Sequence, residues 1–247
     1  MTTSDRTAPA AESKTIGIGD VLATSYRTPR VPPPPTVDNT ALVLIDIQYL
    51  ADPEYLAGNA LAAGLPADGV DAALADYKAR FGEALANAGR VLAAARTAGI
   101  PPIHVKIQAL SSKGRDTSAL HSWMGWNFPP GSPGTRFLEP TQPQADEIVI
   151  TKTASGAFTG TALDSTLRNM GIEHLILVGF MTDECVETTA RVALDYGYVA
   201  RVVSDATTTY DADSYRASIG KFASYGFTLT ADEAAAQFRL MAEHAAA

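Results

Sequence analysis

The chain reads as an α/β protein: a parallel sheet with helices on both of its faces. Two observations predict this. Short apolar runs rich in β-branched residues alternate along the chain with stretches of helical periodicity, an order that implies right-handed βαβ units. Several of the runs are also apolar at successive positions rather than at every second one, as in strands buried on both faces.

Taken in order, residues 1–15 are small and polar and are expected to be disordered. Pro32–Pro35 follow within a stretch expected to be extended, because proline cannot join a sheet interior. Residues 1–39 are therefore expected to form a flexible tail and extended arm, and residues 40–247 the folded domain. The first strand is Ala41–Ile45, closed by Asp46. Further strands are read at Pro102–Ile107, Glu147–Thr151, His174–Val178 and Val199–Val203, with a weaker sixth at Tyr225–Leu229. Phe81, Leu85, Ala88, Leu92 and Ala95 share one face of a helix near 76–98. Leu163, Leu167 and Met170 do the same near 161–170, before Gly171, and Val186, Ala190, Ala193 and Leu194 before Gly197. Tyr215, Ile219 and Phe222 mark another helix, and Ala234, Phe238 and Met241 the last. The stretches 49–75 and 108–143 show no periodicity and are read as long loops of the kind that carry function.

At 247 residues one large domain is expected. A net charge of −8, a pI near 4.9 and the lack of a basic run argue against nucleic acid and anionic membranes as partners. The single cysteine excludes an internal disulfide framework and fits a reducing compartment. With no apolar h-region at the start and no run of ~18–20 apolar residues, the expected location is cytoplasmic.

In a parallel sheet, ligands bind beyond the carboxyl ends of the strands. Asp46 ends the first strand, Lys152 ends the third, and the fourth runs into a turn carrying Cys185, where a helix begins. Each has a plain structural alternative: a turn cap, a solvated lysine, an inert buried thiol. Together they form a coherent set. A helix start and a nearby ammonium both favour thiolate. A carboxylate can take the thiol proton and return it to a leaving nitrogen. The alternative for Asp46 and Lys152 is a simple ion pair.

Three segments carry a resemblance. Leu42–Gln48 ends in Asp-x-Gln. Lys152–Phe158 is followed by Thr161, Leu163 and Leu167. Val178–Ala193 contains Cys185 and is continued by Gly197-Tyr198 and Asp205-Ala206. In order and spacing these resemble the isochorismatase-like cysteine hydrolases, a family that includes nicotinamidases, N-carbamoylsarcosine amidohydrolase and ureidoacrylate hydrolases. The resemblance spans about 41–210. It implies a three-layer α/β/α fold whose six-stranded parallel sheet has the order 3-2-1-4-5-6. It implies a triad of Asp46, Lys152 and Cys185, a cis peptide at Phe180–Met181, and an oxyanion hole made by the backbone N–H groups of Met181 and Cys185. The strand order sets a geometric demand: the third strand is not beside the first, so residues 152–158 must fold back across the strand ends.

The implied activity is hydrolysis of a C–N bond in a small amide, ureido or lactam substrate through a thioester-type intermediate. Family members without the cysteine cleave an enol ether, so Cys185 favours C–N chemistry. Metal-binding relatives carry Asp-x-His after the first strand. Here Asp52-Pro53-Glu54 stand there, and His104, His121, His174 and His244 are scattered, so neither metal nor other cofactor is expected. Phe158 matches a family position that lines the pocket. Gln48 either contacts substrate or bonds to nearby backbone. Trp123, Trp126 and Phe128, with Tyr49, Tyr55 and Tyr210, either wall a pocket, form a subunit contact or pack their loops. Relatives imply a homo-oligomer, dimer or tetramer. The alternatives are hydrolysis of a non-amide substrate and a redox-thiol or non-catalytic member of the fold.

Overall fold

Strand β1, Thr40–Ile45, is buried along its whole length, and its side chains alternate between two cores: Leu42 and Leu44 on one face of the sheet, Ala41, Val43 and Ile45 on the other. That two-sided burial requires cover on both faces. The computed structural model describes Gly17, Asp20, Val21, Thr24 and residues 32–246. The expectation for residues 1–15 lies outside the described residues. The chain divides into Met1–Pro34 and Pro35–Ala247. In the first unit, Asp20 accepts a hydrogen bond from the Gly17 N–H at 2.9 Å and the Thr24 hydroxyl donates to the Asp20 carbonyl at 3.1 Å. Pro32–Pro35 carry no regular secondary structure.

The second unit holds the sheet. β2 is Pro102–Ile107, β3 Ile148–Lys152, β4 His174–Phe180, β5 Val199–Thr208 and β6 Thr228–Leu229. All pairings are parallel and the order is β3-β2-β1-β4-β5-β6. The helices are α1 (Pro53–Ala62), α2 (Ala67–Ala98), α3 (Ala119–Trp123), α4 (Leu163–Asn169), α5 (Glu187–Asp195), α6 (Ala212–Ser224) and α7 (Ala231–Ala245). Tyr77, Phe81, Val91 and Leu92 of α2 and Ala234, Phe238 and Met241 of α7 pack on one face of the sheet. Leu163 and Leu167 of α4, Ala190 and Ala193 of α5 and Phe222 of α6 pack on the other. This is a three-layer α/β/α architecture. Among the described residues no helix is long and apolar enough to cross a membrane.

Two expectations need correction. The stretch 49–75 is largely helical: Asp52 caps α1 by accepting from the N–H groups of Glu54 and Tyr55, with Pro53 at the first helical position, and α2 begins at Ala67, about a turn and a half from the end of α1. Strand β5 runs on to Thr208, five residues past the apolar run, because after an irregularity between Leu177 and Gly179 its polar end pairs with β4 at Gly179 and Phe180.

At the β3 edge, Glu147 accepts from Arg96 at 2.7 Å and faces the ring of buried His104 at 2.8 Å. The Arg96 hydrogen bond holds the Glu147 carboxyl down at about 2, and burial lowers the His104 pKa. A depressed carboxyl stabilises the fold above its unfolded pKa of about 4.5 and loses that contribution as pH falls toward 2. Glu147→Gln is expected to cost about 3 kcal/mol at pH 7, with the deficit fading below pH 4. Chemical denaturation of both proteins at pH 7 and pH 3 checks this, and an equal deficit at both values would contradict it.

Candidate active site

The carboxyl ends of β1, β3 and β4 bring three titratable side chains to one point. Asp46 follows β1 with φ +51, a left-handed turn that aspartate tolerates better than most residues. β1 and β4 approach so closely here that a Cβ on Gly179, itself at φ +123, would lie 2.0 Å from the Ile45 carbonyl oxygen. Glycine is therefore required opposite Ile45. The next peptide, Phe180–Met181, is cis. A single π-helical turn, Thr182–Val186, carries Cys185 and passes directly into α5.

Lys152 meets the geometric demand set by the strand order. It pairs with Ile107 at the end of β2, and its four-carbon stem reaches across so that Nζ lies 2.8 Å from Asp46 Oδ2 and 3.2 Å from Cys185 Sγ. Nζ also donates to the Ala154 carbonyl at 2.8 Å. The segment after it folds back and is tied to α5 by Thr189. The Thr189 hydroxyl accepts from the Ala157 N–H at 3.0 Å and donates to the Cys185 carbonyl at 2.6 Å. Asp46 and Lys152 are each 1 % exposed and Cys185 4 %.

Burial governs the protons. It raises the Asp46 carboxyl, against the pull of Lys152. It pushes the Cys185 thiol up to about 12, with Lys152 opposing and Asp46 adding to the rise. Burial also works against the Lys152 charge, but Asp46 and Cys185 outweigh it and the net shift is upward. Burial thus works against the thiolate that the helix start and the lysine are expected to favour. A carboxyl of raised pKa is a stronger proton acceptor than an ordinary one.

The cysteine and Asp46 open onto a cavity of about 260 Å³. Leu50, Leu56, Ile107, Phe128, Phe180 and Trp126 supply apolar walls, and Tyr55, Asn59, Glu184 and Tyr210 the polar groups. Met181 lines it beside Cys185, and Tyr77 of α2 backs Met181, its hydroxyl 3.7 Å from Sδ. Of the aromatic residues singled out, Trp126, Phe128, Tyr55 and Tyr210 therefore face the cavity. Trp123 is 85 % exposed and points away, and Tyr49 instead lies under the Arg136 guanidinium. Phe158 is placed outside the cavity, packed between Tyr196 and Tyr198 in the core beneath α4 and α5.

Gln48 also lies outside it. Fully buried, it donates to the Ile107 and Thr135 carbonyls at 3.2 and 2.8 Å and accepts from the Ile107 N–H at 2.8 Å, tying the turn after β1 to the end of β2 and to the short 3-10 turn at Thr135. Of its two sequence readings, the structure supports bonding to backbone. Gln48→Leu leaves these groups unpaired and is expected to destabilise the protein by about 2–4 kcal/mol, read as a fall in the urea midpoint. A loss of activity at unchanged stability would instead place Gln48 at the substrate. Leu56, Asn59 and Glu184 escaped the sequence reading. For Leu56 and Asn59 the usable signal was the Asp52-Pro53-Glu54 helix start, which predicts α1.

His104 and His174 are buried strand residues, His121 packs on Trp126 with its ring 3.3 Å from the Ser155 hydroxyl, and His244 is exposed. Among the described residues no cluster of three His, Cys, Asp or Glu side chains could hold a metal ion.

The family model described as the isochorismatase domain matches residues 40–234, most of the chain. The chain belongs to the isochorismatase family. Within curated relatives it is 31 % identical over 188 residues to the ureidoacrylate amidohydrolase RutB of Serratia proteamaculans, covering 68 % of this chain and 69 % of that one. It is 31 % identical over 113 residues to the maleamate amidohydrolase of Pseudomonas putida, covering 45 % and 53 %. A cysteine hydrolase from Pseudomonas syringae pv. phaseolicola shares the fold with a TM-score of 0.69 and 22 % identity, covering 87 % of this chain and all of that one. The sheet order and three-layer architecture described above are those expected of the isochorismatase-like fold, and the family's hydrolase character is shared by these relatives.

Proposed function

We propose that this family member is a cysteine-dependent amidohydrolase that cleaves a C–N bond of a small amide, ureido or lactam substrate. The observation that carries this reading is the meeting of Asp46, Lys152 and Cys185, all buried, with Asp46 and Cys185 lining one largely apolar cavity. Two curated relatives named as amidohydrolases favour the C–N class.

In this reading Cys185 transfers its proton to Asp46 as Sγ adds to the carbonyl carbon. The backbone N–H groups of Met181 and Cys185 stabilise the oxyanion, each worth roughly 3–4 kcal/mol. The tetrahedral adduct collapses with cleavage of the C–N bond, and protonated Asp46 delivers its proton to the departing nitrogen. Asp46, again a carboxylate, takes a proton from water as the hydroxyl adds to the thioester. Cleavage of the C–S bond then releases the acid and returns the proton to sulfur. Lys152 balances whichever of the two partners is anionic. Ammonia release screened over small primary amides and ureides, and ring opening of small lactams followed by mass spectrometry, test the proposal, with Cys185→Ala as the blank. Cysteine-dependent release from at least one class is expected, and equal release by enzyme and blank would refute it.

A further inference from the structure

The charge distribution of the cavity is one-sided. Among the described residues that line it there is no lysine, arginine or histidine. The nearest cation, Lys152, is committed to Asp46, Cys185 and the Ala154 carbonyl. Arg80 approaches from α2, but its guanidinium is taken up by Asp76, the Thr208 hydroxyl and the Thr209 and Tyr210 carbonyls. His121, near Lys152, is held neutral, its pKa lowered by burial to about 4.

Against this stands Glu184. It is half-buried and lines the cavity next to Cys185, and its carboxylate makes no hydrogen bond or ion pair with a described residue. Burial and then Asp183, which precedes it, raise its carboxyl against the opposing pull of Lys152, and the Tyr210 phenol, also in the cavity wall, is pushed up to about 12 by burial and then by Cys185, Glu184 and Asp183. A carboxylate left unpaired in a partly desolvated, apolar-walled site is held at a cost that a cationic partner removes. A second carboxylate brought in beside it raises that cost.

Resting on the amidohydrolase reading, we propose that the substrate carries a cationic nitrogen, an amine or amidinium, which Glu184 binds while the scissile carbonyl lies at Cys185, and that carboxylate-bearing amides are excluded. This separates the chain from the two relatives above, whose names specify ureidoacrylate and maleamate, both carboxylates. The aromatic faces of Trp126, Phe128 and Tyr210 suit a cation as well.

The test uses three primary amides of matched length: 4-aminobutanamide, butanamide and succinamate. For the full-length protein, kcat/KM for ammonia release is expected to fall in that order, with the amine favoured over the neutral amide by at least about tenfold, the scale of one charge-assisted hydrogen bond. Glu184→Gln is expected to collapse that ratio to about threefold or less. Binding of the same three compounds to Cys185→Ala, followed by calorimetry, reads the preference without turnover. A protein that binds the amine selectively but hydrolyses none of the three retains the recognition proposal and counts against the amidohydrolase reading. Succinamate accepted as well as butanamide, 4-aminobutanamide bound no tighter than butanamide, or a ratio unmoved by Glu184→Gln would each overturn the recognition proposal.

Discussion

Replacing Cys185 with alanine is expected to lower turnover by ~10⁴-fold or more while leaving the fold intact, because loss of a covalent nucleophile removes the whole reaction channel and leaves only binding and oxyanion stabilisation. The side chain is 4 % exposed and belongs to the core beneath α5. Its truncation to alanine costs little packing, on the order of 1 kcal/mol, so circular dichroism and the denaturation midpoint should change little. Cys185→Ser should be nearly as inactive, since a hydroxyl is a far poorer nucleophile than a thiol beside the same carboxylate. More than a tenth of the native rate in either variant would exclude the cysteine as nucleophile. Because the resting thiol is raised to about 12, alkylation of the free protein by iodoacetamide should be slow at pH 7 and quicken as pH rises well above neutrality. Rapid modification at pH 7 would indicate a standing thiolate.

The second large effect belongs to Lys152→Met, which keeps much of the buried stem and removes the charge. After burial itself, Lys152 is the main influence on the Asp46 carboxyl, and it acts downward. Without it burial raises the carboxyl further and shifts its balance toward the protonated form. Proton transfer from the thiol then fails, and kcat/KM should drop by about 10²–10⁴-fold. The acid limb of the pH–rate profile should move to higher pH, a signature that simple loss of packing does not produce. Stability should fall by about 3–5 kcal/mol, the cost of breaking a buried ion pair by removing one partner. A carboxyl whose folded pKa is raised stabilises the fold below its unfolded pKa of about 3.9 and loses that contribution as pH rises through the folded value. The variant's deficit should therefore be largest at neutral pH and smaller near pH 4. An unshifted acid limb would show that Lys152 does not set the Asp46 proton.

Asp46, Lys152 and Cys185 were legible in the sequence because each lies at the end of an apolar run or in the turn that follows it, and a parallel sheet gathers such positions along one edge. The walls were not legible in the same way. Leu56 and Asn59 come from α1, whose alanines and glycine give no clear apolar stripe, so its helical character rests on the Asp52 cap alone. Gln48 and Phe158 are adjacent to the floor in sequence but turn into packed interior, and spacing does not say which way a side chain turns after a strand ends. The thiol failed in the opposite sense. Its place at a helix start was visible, but the depth of burial that opposes Lys152 is a property of the assembled core. β5 was cut short for a related reason: Ser204, Asp205, Thr207 and Thr208 read as loop, yet backbone pairing with β4 holds part of that segment in the sheet.

The lysine crossing from β3 to the ends of β1 and β4 divides the molecule into parts that can change independently. Its anchor points are the end of β1 and the turn after β4, positioned by sheet register and by the close approach at Gly179. The surfaces that meet a ligand come largely from α1, from the loop around Trp126 and Phe128, and from Tyr210 after β5. Exchange of those wall segments can redirect selectivity while the reactive centre keeps its register, so laboratory evolution of this scaffold should accumulate specificity changes at 50–59, 125–128, 184 and 210 and leave 46, 152, 179 and 185 untouched.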